Sequence, residues 1–73
     1  MNTREIFSIR LKQLREARGL GIRELARGIG CNHSLISLYE SQKREPTISI
    51  LRKISDYFNV SADYLIGKID EFR

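Results

Sequence analysis

Apolar residues recur every three or four positions along almost the whole chain, and no stretch alternates as a half-buried strand would. The period predicts helices over residues 4–18, 22–29, 32–41 and 48–58, with a short fifth that starts after Ser61 and stops before Gly67. The expected inward stripes are Phe7, Leu11 and Leu14, with Arg18 one step further along. They continue with Leu25, Ala26 and Ile29, then Cys31, Ile36 and Tyr39. Ile48, Leu51, Ile54 and Phe58 follow, then Val60 and Leu65. Thr3, Thr47 and Ser61 stand where helix caps belong. Gly19 closes the first helix with Leu20 covering its last turn, and Asn59 is placed to close the fourth in a left-handed conformation. Helices this short are not stable alone, so one shared core must hold all five. The fold class is all-α: one domain over residues 1–67, with a tail over residues 68–73. That tail is expected to fray, or to extend as a helix that buries Ile69 and Phe72.

The stretch over residues 22–41 reads as two short amphipathic helices hinged on Gly30. Ala26, four residues earlier, leaves room where the two helices approach. Gly30 takes a left-handed turn without the penalty a Cβ carries. Asn32 caps the second helix, and Ile36 falls on its buried side. Small residue, glycine, cap and buried aliphatic in that order fit a helix-turn-helix. The same spacing also fits an ordinary helical hairpin.

Composition narrows the function. Seventy-three residues leave room for one small core. A single cysteine permits no internal disulfide, and no Cys/His cluster has metal-ligand spacing. Cys31 reads as a small packed hydrophobe. Cys31 and His33 fall on different helical faces. With no paired carboxylates and no phosphate-cradling glycine loop, an enzyme, a cofactor or a small-molecule site is not expected. No apolar run nears the ~20 residues of a membrane span. The first residues lack a signal-peptide core, so a cytoplasmic location is expected. The net charge of +4 is unevenly spread: residues 1–53 hold eleven Lys/Arg against five Asp/Glu, and residues 54–73 hold two against four. A basic body fits a nucleic-acid surface; a plain solvated surface fits it too.

Four blocks carry a resemblance. RLKQLREARGL (10–20), ELARGIG (24–30), ISLYESQKREP (36–46) and LRKISDYFNVSADYLIG (51–67) resemble the Cro/repressor-type, XRE-like helix-turn-helix family of small phage and bacterial regulators. The likeness covers about residues 7–67. It implies a compact five-helix, lambda-repressor-like domain that binds double-stranded operator DNA as a homodimer, with helix three in the major groove. It implies base-edge roles for Asn32, His33, Ser34, Ser37 and Leu38. It implies phosphate-facing positions at Ile22, Arg23, Ser41, Lys43 and Arg44, and an ion pair between Arg15 and Glu40. Tyr64 and Leu65 match positions near the family's dimer contact, and Ile66, Ile69 and Phe72 lie at the same end.

The chain departs from the family at two places. Gly21 and Ile22 replace a polar cap and a glutamine, and Leu38 holds a position that is often polar or basic. Ile22, Leu35 and Leu38 therefore predict an apolar DNA face. Leu35 is read mainly as core. Leu38 is open between a thymine-methyl contact and packing on its neighbours. Two functions follow. The first is a transcriptional regulator, in the sense of a repressor. The second is an antitoxin-like or antagonist-controlled module whose exposed apolar face binds a protein.

Overall fold

The computed structural model describes residues 1–71. It holds five helices in chain order, α1 (Thr3–Ala17), α2 (Ile22–Ile29), α3 (His33–Glu40), α4 (Ile48–Phe58) and α5 (Ala62–Leu65), with no strand among the described residues. No helix there is long and apolar enough to cross a membrane.

Every helix contributes to one core. Phe7 and Leu11 of α1 meet Leu25, Ala26 and Ile29 of α2 and Ile36 and Tyr39 of α3. Ile54 and Phe58 of α4, Val60, and Tyr64 and Leu65 of α5 close it from the other side. Phe7 and Tyr39 pack edge to face, ring centroids 5.6 Å apart, which fixes α3 against α1. Leu14, Cys31 and Leu35 are partly buried against this core.

Two expectations need correction. Asn2, not Thr3, caps α1. Its side chain accepts from the Glu5 N–H at 2.9 Å, while Glu5 accepts from the Asn2 N–H at 3.3 Å. Only Asn2 has a glutamate three residues on, so only Asn2 forms this reciprocal box. Ile48 does not face inward; it is 88% exposed. The buried sector of α4 runs through Leu51, Ile54 and Phe58, with Ile50 and Tyr57 at its edge. At 3.6 residues per turn the centre of that sector lies about 110° round the helix from Ile48.

The helix ends share one device. After each helix a backbone N–H reaches back to the carbonyl five residues earlier: Leu20 to Arg15, Cys31 to Ala26, Lys43 to Leu38, Val60 to Ser55, Lys68 to Asp63. A left-handed residue stands just before each of these. At α3 it is Gln42, with φ 65°. A left-handed L-residue costs roughly 1–2 kcal/mol that glycine avoids. Gln42→Gly is therefore expected to stabilise the domain by about 1 kcal/mol, after the extra chain entropy of glycine is set against it. A thermal melt reads this as a rise of a few degrees; a fall would mean that the Gln42 side chain contributes contacts of its own.

The tail does not continue as a helix through Glu71. Arg10 of α1 holds it. Its guanidinium donates to the carbonyls of Tyr64 and Ile69, donates to Asp70 at 3.0 Å, and lies 4.3 Å from the Tyr64 ring centre. Ile69 packs on the core, while Phe72 lies outside the described residues. Arg18 does the same for α4. It donates to the Tyr57 and Phe58 carbonyls at 3.1 and 3.3 Å, placing a cation at the negative end of that helix.

Candidate nucleic-acid interface

The pair α2–α3 is built around Ala26 and Gly30. Ala26 is buried where the helices meet, and its carbonyl accepts from both Gly30 and Cys31, at 2.8 and 2.9 Å. Gly30 sits at φ 84°, turning the chain into α3. The Asn32 side chain then accepts from the Ser34 N–H at 2.8 Å and starts the helix. Gly21 offers no side-chain cap to α2; Glu24 compensates by accepting from the Gly21 N–H at 2.9 Å.

Helix α3 has two unlike faces. Ile36 and Tyr39 are almost completely enclosed. Ser34, Ser37 and Ser41 are exposed, Leu38 and His33 half-exposed. Positions 34, 37, 38 and 41 follow the i, i+3, i+4, i+7 spacing of one helical stripe. Unlike Leu35, Leu38 is not among the apolar side chains packed on the core.

Arg15 clamps this helix from behind. Its Nε donates to Glu40 Oε2 at 2.7 Å and its Nη2 to Glu40 Oε1 at 3.0 Å, a two-point pair whose side chains are 11% and 9% exposed. Its Nη1 also donates to the Leu20 carbonyl at 2.8 Å. The hydrogen bond to Glu40 raises the Arg15 pKa above its already high ordinary value, so its charge is permanent.

Exposed cations stand on α2 and in the loop after α3. Arg23 and Arg27 on α2, and Lys43 and Arg44 beyond α3, are exposed and make no ion pair among the described residues. The nearest acid to Arg44 in the chain, Glu45, is turned to Arg4 at 3.7 Å. Arg10 and Arg15, by contrast, are taken up by carboxylates. Lys12, Arg18, Lys53 and Lys68 are likewise exposed without an ion pair among the described residues, so free positive charge is spread over the body of the chain and includes the loop after α3.

Several expected positions prove different. Ile22 is partly buried and packed on the core, so it adds little to an apolar outer face. Leu65 is fully enclosed and Tyr64 is 8% exposed, leaving neither free to meet a second copy. Both are consumed by the core because α5 has only four residues to seal it. Ile66 and Ile69 keep partial exposure. Among the described residues no three His, Cys, Asp or Glu are grouped to hold a metal ion. Burial pushes the Cys31 thiol above its ordinary range, with Lys53 pulling the other way. As pH rises the unfolded chain ionises this thiol first, so its contribution to stability is present below the ordinary thiol range and lost as pH passes through the raised one. Iodoacetamide at pH 8 is expected to label Cys31 several-fold more slowly in the native chain than in urea; equal rates would contradict the packing.

A turn-linked helix pair with a solvent-facing second helix, braced from behind and followed in the chain by exposed cations, defines a helix-turn-helix domain. The helix-turn-helix family pattern matches residues 11–65. The chain belongs to this helix-turn-helix family. It is similar to the HTH-type transcriptional regulator ImmR of Bacillus subtilis, at 39% identity over 81% of this chain and 46% of that one. The uncharacterized regulator YobD of the same organism is 36% identical over 90% and 59%. The chain thus spans about half the length of these relatives. Among solved structures, the restriction-modification controller protein C.AhdI from Aeromonas hydrophila superposes with a TM-score of 0.78 at 26% identity, over 85% of this chain and 94% of that one. A hypothetical transcription factor from Neisseria shares the fold, with a TM-score of 0.82 at 23% identity over 89% and 75%.

Proposed function

We propose that this chain is a sequence-specific regulator of transcription, a repressor that binds double-stranded operator DNA as a homodimer with α3 in the major groove. The observation that carries the reading is the outward stripe of α3. Its side chains are small or half-exposed, uncommitted to the core, and followed in the chain by Lys43 and Arg44, which make no ion pair among the described residues. In such an interface Arg23, Lys43, Arg44 and Ser41 meet phosphates and fix register, while residues 32–38 face base edges. The Ile22 backbone, not its side chain, lies at the same phosphate-facing end of α2.

Dimerisation follows from reach. Eight helical residues span about 12 Å, or roughly three to four base pairs of groove, too short a word to mark one operator. Two copies on a two-fold site about one DNA turn apart double that length. Ile66 and Ile69 are the residues of the α5 end left with surface for that contact. A protein seated on such a site excludes a competitor by occupancy alone, which is the repressor sense, and it acts where chromosomal DNA is, in the cytoplasm.

Selection of bound duplexes from a random pool tests the reading. A preferred two-fold site, held at least ~10³-fold tighter than random duplex, is expected. Recovery of no preferred sequence would overturn it and favour a module whose main contacts are with protein.

A further inference from the structure

The outward stripe of α3 is chemically unusual for a base-reading surface. Ser34, Ser37 and Ser41 carry one hydroxyl each, and Ser41 Oγ already donates to the Leu38 carbonyl at 3.2 Å. Asn32 is turned to the N-terminus of its own helix through Oδ1, which removes it from two-point recognition of adenine. His33 offers single-point contact only. The stripe holds no arginine, lysine, glutamine or carboxylate, so it lacks the side chains that distinguish guanine or cytosine by paired hydrogen bonds. What it does hold is Leu38, the one long side chain among three serines, half-exposed and not packed on the core. Short serines around it let the helix approach the groove closely, and leave Leu38 as the projecting apolar group. The major groove presents one apolar group to meet it, the C5 methyl of thymine.

We infer that Leu38 is a specificity-determining residue that reads the C5 methyl of a thymine in each half-site. The inference rests on the reading that α3 lies in the major groove, and adds to it what this α3 selects. Burying one methyl against Leu38 is worth about 4-fold in affinity, from roughly 0.8 kcal/mol per buried methyl-sized group.

The test starts from the duplex the wild-type chain selects. Each thymine is replaced in turn by deoxyuridine, which keeps the hydrogen-bonding groups and removes only the methyl. At one thymine per half-site, a loss of about 4-fold is expected with the wild-type chain. The Leu38→Ala chain should bind thymine and uracil duplexes equally at that position. 5-Methylcytosine opposite guanine at the same position should bind the wild-type chain better than cytosine does. If a preferred site exists but no thymine shows a methyl dependence, or if Leu38→Ala retains it, the methyl reading is wrong while DNA recognition stands. If no preferred site is selected, the underlying reading fails first. The uracil arm uses the unaltered chain, so the outcome does not hang on the folding of the variant.

Discussion

Glu40→Gln is expected to cost the free domain about 3–5 kcal/mol and lower its melting temperature by more than about 10 °C. The carboxylate and the Arg15 guanidinium meet at two points, 2.7 and 3.0 Å apart, with about nine-tenths of each side chain enclosed. Removing one charge leaves the other buried without its partner, and that desolvated cation, not the lost attraction alone, sets the magnitude. A chain of this length has roughly 4–11 kcal/mol of total stability to lose. The Arg15 charge cannot retreat by deprotonating, because a guanidinium stays protonated at any working pH. Replacing both members at once, Arg15→Met with Glu40→Leu, is expected to recover much of the loss, leaving the Leu20 carbonyl without its Arg15 donor. Thermal or urea unfolding of the two variants measures this. A melting temperature unchanged in Glu40→Gln would show that the pair does not brace α3 against α1.

Neutralising the loop after α3 should act on binding and spare folding. Lys43 and Arg44 are exposed and make no ion pair among the described residues, so the double change Lys43→Gln, Arg44→Gln is expected to leave the melting curve nearly where it was. If each meets one phosphate, the homodimer loses four contacts and the plot of log affinity against log salt flattens by nearly four units. At 0.1 M salt that corresponds to roughly 10³-fold or more weaker binding, shrinking toward nothing near 1 M. The loss should be equal on operator and random duplex, because phosphate contacts carry position and not sequence. A loss confined to the operator would mean instead that one of the two reads a base.

The helix-turn-helix was legible because several independent signals coincide there. Leu25, Ala26, Ile29, Ile36 and Tyr39 keep the helical period, and Gly30 breaks it at the one place a left-handed turn is needed. The Arg15–Glu40 positions were reachable through the resemblance, not through spacing, since they stand 25 residues apart. Ile48 was misplaced because apolar character and a three-residue step to Leu51 put it beside the stripe without putting it within the buried sector. Arg10 and Arg18 left no local trace. Their partners lie 39 to 60 residues away and, Asp70 apart, are backbone carbonyls, which any residue type supplies. Tyr64 and Leu65 show the opposite failure: the period already marked Leu65 as inward, and the family role assigned to it needs a surface that this short α5 does not leave it. Gln42 was invisible as a left-handed residue because glycine and asparagine, not glutamine, are what the helix-end pattern offers as a cue.

The outer face of α3 is tested most directly by titrating the selected duplex into ¹⁵N-labelled protein and following each backbone amide. The largest shifts are expected at Asn32, Ser34, Ser37 and Leu38 and at Gln42, Lys43 and Arg44, with Met1 and Ile9 on the far side of α1 nearly still. Shifts centred on α1 and α5, with α3 unmoved at saturating duplex, would contradict α3 as the element that reads DNA.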